Sequence, residues 1–135
     1  MFVLRPVLFP PRWMRVLALA ALVVLVANLL WHGSQPYAVG LVPAPWDKLA
    51  HLALYGALGA AAWVGLGAGR ATADLLAPMA AIAIGVVDEF AQTFSPGRTV
   101  SLDDLAADAL GAILAVAVLA ALRERVRRPP VPATT

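Results

Sequence analysis

The sequence predicts an all-α, polytopic membrane protein: a compact bundle of four transmembrane helices with both termini in the cytoplasm. Three observations lead there. Hydrophobic residues make up 61% of the 135 and charged ones only 13%, against about 25% charged in soluble chains. Four apolar stretches of bilayer length take up most of the chain. Arginine gathers on one side of those stretches. With no cysteine, disulfides, thiolate metal sites and cysteine nucleophiles are excluded.

The domain layout is a cytoplasmic segment over 1–12, a membrane domain over 13–122 and a tail over 123–135. The first span is predicted over 13–31, where a tryptophan stands at each end and Asn28 alone interrupts the apolar run from 16 to 31. Nineteen residues rise about 28 Å, enough to cross. A cleaved signal fits less well, because the run is long and no A-x-A site follows it. Residues 32–46 hold Gly33, Pro36, Gly40, Pro43 and Pro45, a helix-breaking connector. The second span, 47–69, is rich in small residues. Gly56, Gly59 and a Gly65-x-x-x-Gly69 pair predict close helix approach. A short turn around Arg70 leads to the third span, 73–94, with Pro78 tolerated near its start. Ser95-Pro96-Gly97-Arg98 joins it to the fourth span, 102–122. The tail is basic and then proline-rich, a composition that predicts disorder.

With four spans, Arg5, Arg12, Arg15, Arg70, Arg123, Arg125, Arg127 and Arg128 share one side and only Lys48 and Arg98 the other. The arginine-rich side is therefore expected to face the cytoplasm of an inner (plasma) membrane. Six of the eight acids fall on the opposite side, leaving Asp74 and Glu124 with the arginines. That outer side sums to −4.

Helical spacing sharpens the pattern. Asp47, His51 and Tyr55 repeat at i, i+4 and i+8, Asp88 and Gln92 at i and i+4, and Asp104 and Asp108 likewise, so each of three helices has one polar edge. Asp108 lies about 9 Å along the axis from the start of its helix. Intramembrane ionisable groups face the bundle interior or a wet cavity, and the three edges are expected to converge there. Asp47 can simply cap the second helix, and Ser101-Leu-Asp-Asp104 reads as a capping box for the fourth, helped by the helix dipole. Asp88 and Glu89 have no such explanation, since a helix C-terminus disfavours carboxylates. They call for a cation, with Arg98 the first candidate and Lys48 the second. A purely structural ion-pair network is the competing explanation of the whole set.

Three ordered blocks, Asp47-Lys48-x-x-His51-x-x-x-Tyr55, Asp88-Glu89-x-x-Gln92-x-Phe94-x-Pro96-Gly97-Arg98 and Asp104-x-x-x-Asp108-x-x-Gly111, closely resemble the VanZ-like family of small membrane proteins. The resemblance covers roughly residues 47–115. Asp108 stands where the family has asparagine or aspartate, and Leu52 where phenylalanine is common. The resemblance implies an envelope membrane protein of a family named for a member linked to reduced susceptibility to teicoplanin; it implies no biochemical activity.

The sequence thus predicts an outward polar pocket built from Asp47, Lys48, His51, Tyr55, Asp88, Glu89, Gln92, Arg98, Asp104 and Asp108. In one class of function, a non-enzymatic envelope protein binds a lipid-linked precursor or an anionic lipid head group through Lys48 and Arg98. In the other, a membrane enzyme or proton-coupled carrier uses the acids and His51, a carrier of four short helices requiring a homo-oligomer. No metal-ligand spacing, serine-centred nucleophile, phosphate loop or nucleic-acid patch is present, so no cofactor, metal or nucleic acid is expected.

Overall fold

The computed structural model describes residues 5–97 and 100–127. Its elements are α1 (Arg5–Leu8), α2 (Arg12–Gly33), a 3-10 turn (Pro36–Ala38), α3 (Trp46–Gly67), α4 (Ala71–Gln92) and α5 (Leu102–Arg127), with no strand among the described residues. Four of these helices are long and apolar enough to cross a membrane. Each coincides with a predicted span, with ends shifted by a residue or two except at the C-terminus. There α5 runs on to Arg127, so the basic residues expected to open a loose tail are helical. Arg98 and residues 128–135, including the proline-rich stretch, lie outside the described residues.

The reason α5 continues is a clamp at the arginine end of the bundle. The Arg123 guanidinium meets the Asp74 carboxylate through two parallel hydrogen bonds of 3.0 and 3.1 Å, and the Trp63 indole N–H donates to the same carboxylate at 2.7 Å. Arg123 also lies over the Trp63 ring, 5.8 Å from its centroid. A planar fork on a carboxylate is the strongest pairing geometry available to arginine. It ties α5, one turn before its C-terminal end, to the first turn of α4 and to α3. Beside it, α1 buries Leu8 against the core cluster of Trp63, Ala73, Ala77 and Val116; a single turn has no periodicity to betray it in the sequence.

Helices α3, α4 and α5 pack against one another as the core, with α2 laid mainly on α3. No residue of α2 is buried. Lipid tails are as apolar as leucine, so helices in a bilayer associate by close packing rather than by hydrophobic exclusion. Here the closest approach is between α3 and α5. A Cβ on Gly111 would stand 2.1 Å from the Leu52 carbonyl oxygen, while one on Gly59 would meet Ala112 at 3.2 Å and one on Gly56 the Gly111 carbonyl at 3.3 Å. Gly65 receives Leu19 of α2 in the same way, at 2.6 Å. The Gly65-x-x-x-Gly69 pair is not a packing motif, however. The helix stops at Gly67, which with Gly69 takes a positive φ to make the turn into α4.

Helices α2 to α5 alternate in direction, so the end of α2, the start of α3, the end of α4 and the start of α5 share one end of the bundle. The Ser95 hydroxyl, just past α4, donates to the Ser34 carbonyl just past α2 at 3.2 Å.

Gly111→Ala is expected to cost about 1–3 kcal/mol in detergent unfolding titrations, because backbone rather than a flexible side chain blocks the new methyl. Gly56→Ala, whose methyl needs only a few tenths of an ångström, should lose less, its clash offset by the roughly 1 kcal/mol better helix propensity of alanine. Equal losses at the two sites would contradict this packing.

Candidate functional site

Two layers of polar contacts fill the end of the bundle opposite the arginines. The outer layer centres on Lys48, in the first turn of α3. Its ammonium bridges Asp47, at 3.1 Å from Oδ2, and Asp104 of α5. Asp47 does not cap α3 as the sequence suggested. The helix starts at Trp46 behind Pro45 without a side-chain cap, and Asp47 instead accepts the Lys48 N–H at 2.9 Å.

The inner layer is reached one and two turns deeper along α3. His51 Nδ1 lies 2.8 Å from Asp108 Oδ1, and the Tyr55 hydroxyl donates to Asp88 Oδ2 at 3.4 Å. Gln92 Nε2 donates to the same Asp88 oxygen at 3.0 Å. The His51 and Tyr55 rings stack 3° from parallel, with centroids 6.2 Å apart. Glycines make the room: a Cβ on Gly85 would fall 3.0 Å from Asp108 Oδ2 and 3.2 Å from the Tyr55 ring, and one on Gly33 would fall 3.2 Å from Asp88 Oδ1. Asp88 is 2% exposed and Asp108 1%, depths at which an ionised carboxylate without partners is strongly disfavoured.

Glu89 resolves differently from the sequence expectation. Neither it nor Asp88 meets Lys48, which is held by Asp47 and Asp104, and Arg98 lies outside the described residues. Glu89 Oε2 accepts the Ser101 backbone N–H at 2.9 Å. The C-terminal turn of α4 places this carboxylate beside the N-terminus of α5, where unpaired amides and the positive end of the dipole favour an anion. The α5 capping box is therefore shared. Ser101 Oγ accepts the Asp104 N–H at 3.2 Å, but Glu89 takes the reciprocal bond and leaves the Asp104 side chain to Lys48.

A cavity of about 680 Å³ lies against this array, between the second half of α2, the connector and the start of α3. Of the residues predicted from sequence, Asp47, His51 and Asp104 reach its wall; Lys48, Tyr55, Asp88, Glu89, Gln92 and Asp108 do not line it. His51 is thus interposed between cavity and buried carboxylate, its side chain 19% exposed against 1% for Asp108. The sequence reading missed Asn28, His32 and Tyr37, which complete the polar wall; the Tyr37 hydroxyl hydrogen-bonds His32 Nδ1. Asn28 and His32 stand four residues apart on α2, a spacing that marks one helix face. The same lining carries apolar side chains, Leu25 and Leu29 on α2, Leu41 in the connector and Leu54 on α3. Among the described residues no group of three His, Asp or Glu is disposed to hold a metal ion.

The VanZ/LLP1 family model matches residues 14–123, which takes in all four spans and reaches well beyond the three polar blocks. The chain belongs to the VanZ/LLP1 family. No curated protein and no solved structure matches it. In this member of the family, the polar blocks of α3, α4 and α5 meet in one array, and the first span brings Leu25, Asn28, Leu29 and His32 to the lining of the cavity beside it.

Removing one partner of a buried pair leaves the other uncompensated. His51→Leu should therefore destabilise the protein by about 3–5 kcal/mol, whereas in an Asp108→Asn background, with no carboxylate left to strand, the same change should cost much less. A detergent-unfolding double-mutant cycle reads the difference; strictly additive losses would show that the two side chains do not interact.

Proposed function

We propose that this chain is a multi-pass inner-membrane protein of the cell envelope that holds the polar head of a lipid-linked ligand in the cavity between α2 and α3. The observation that carries the reading is the mixed lining, in which Asp47, Asp104, His51 and Asn28 stand among Leu25, Leu29, Leu41 and Leu54 around about 680 Å³. That volume falls in the range of small-molecule sites, and a few placed polar groups on an apolar wall are what fixes a ligand's orientation. In this reading the polar end faces outward, the arginine end and both termini face the cytoplasm, and the family's link to teicoplanin acts through the same cavity.

One contact favours a second reading, a membrane enzyme or proton-coupled carrier. A histidine in a cavity wall with Nδ1 fixed by a buried carboxylate is the arrangement that holds an imidazole in one tautomer for proton transfer. Asp108→Asn separates the two readings. It preserves shape, so ligand retention without turnover or transport favours acid–base chemistry, and loss of neither favours binding alone.

Ala50 lines the cavity and is exposed, so Ala50→Trp fills the space without touching the core. Lipid extraction of protein purified in mild detergent is expected to find an amphiphile retained by the wild type and depleted in Ala50→Trp at equal thermal stability. Equal retention would contradict the proposal. Reporter fusions at Gly97 and after Arg127 are expected to report opposite sides of the membrane.

A further inference from the structure

We infer that the head group received in this cavity is cationic: an ammonium carried on an apolar tail. The inference rests on the binding reading above and narrows it to a ligand class.

Among the described residues, the ionisable groups of the cavity wall are two carboxylates, Asp47 and Asp104, and the imidazoles of His51 and His32. Lys48, the single lysine of the chain, does not offset them for a ligand. It is not part of the wall, and both carboxylates already grip its ammonium. Two carboxylates around one ammonium leave a unit of negative charge, and the described contacts of the Asp104 side chain use Oδ1 alone. His51 adds no free positive charge either, because a proton taken up by its ring faces Asp108. The neighbouring acid has the same sign: Asp103, exposed, stands beside Asp104 in the first turn of α5.

Like charges brought together out of water repel strongly, so this wall turns away a phosphate or carboxylate head and draws in an ammonium. Tyr37 adds an aromatic side chain to the lining, a further preference for cations.

The tail follows from the apolar part of the lining. Along α2 the lining runs from His32 to Leu25, seven residues or about 10 Å at helical rise, with Asn28 between them, and its apolar side chains include Leu25, Leu29 and Leu54. Because α2 lies on the bundle without burying a residue, this apolar side borders the bilayer, and a chain can leave between α2 and α3. An amine without a tail would leave that wall empty.

The test uses the full chain, purified in a neutral maltoside detergent and titrated with four probes, with adducts counted by native mass spectrometry. Dodecylammonium is expected to bind at least tenfold more tightly than dodecyl phosphate, with dodecyl glucoside between them. Methylammonium is expected to leave no adduct. Asp104→Asn and, independently, Asp47→Asn should each shrink the ammonium-over-phosphate preference several-fold. Phosphate binding as tight as ammonium would overturn the cationic assignment and leave the cavity reading standing. Methylammonium binding as tight as dodecylammonium would overturn the tail. If none of the three dodecyl probes binds, or all bind Ala50→Trp as they bind the wild type, the cavity reading fails and this inference with it.

Discussion

The polar end of the bundle is organised around a single constraint: two carboxylates, Asp88 and Asp108, are buried inside a membrane-spanning bundle, and each must find partners within it. Both are served from one edge of α3. His51 reaches Asp108 on α5 and Tyr55 reaches Asp88 on α4, one helical turn apart. The cost of stranding either carboxylate in a low-dielectric interior exceeds that of most packing defects, so the rotation of α3 against its two neighbours is set by these contacts. Glycine supplies the space. Gly111 lets α5 come close enough to α3 for the His51–Asp108 pair, and Gly85 keeps the α4 backbone clear of both Asp108 and Tyr55. Close packing and charge pairing are thus two parts of one device.

The two ends of the bundle solve the same electrostatic problem differently. At the arginine end a single carboxylate, Asp74, is saturated by Arg123 and Trp63, and the result is a closed clamp. At the other end carboxylates outnumber cations. Glu89 turns to a helix N-terminus, Asp88 to neutral donors and Asp108 to an imidazole, and Asp47 with Asp104 must share one lysine. The surplus of negative charge ends at the wall of a cavity that exists because α2 lies on the bundle without sinking into it. Family membership assigns the chain to VanZ/LLP1.

The four spans were legible in the sequence because hydropathy at bilayer length and the bias of arginine report directly on burial in lipid. The polar edges were legible too. Spacing of four along a helix fixes a shared face, and the cost of exposing a carboxylate to acyl chains fixes where that face points, so Asp47, His51, Tyr55, Asp88, Gln92, Asp104 and Asp108 could be placed at one end before any coordinates. The pairing among them was not legible. Sequence distance suggested a cation for Asp88 and Glu89, but whether Lys48 reaches α4 or α5 depends on the rotation of α3, which no local pattern encodes. The Glu89–Ser101 bond was hidden for a related reason, because capping rules describe a helix from its own residues and this cap comes from a neighbour. Arg123 looked like the start of a tail because its partner, Asp74, lies a whole helix pair away. His32 and Tyr37 were masked by a connector whose prolines and glycines drew attention to its breaks rather than to its side chains.

The pair between His51 and Asp108 is the contact on which the array turns, and the chain's two histidines make it directly observable. Nitrogen NMR of protein labelled with ¹⁵N-histidine, in detergent, should show one imidazole whose Nδ1 resonance moves on Asp108→Asn substitution while the other, from His32 near the end of α2, stays in place. If both imidazoles keep their shifts in a folded Asp108→Asn protein, α3 does not reach α5 through this pair.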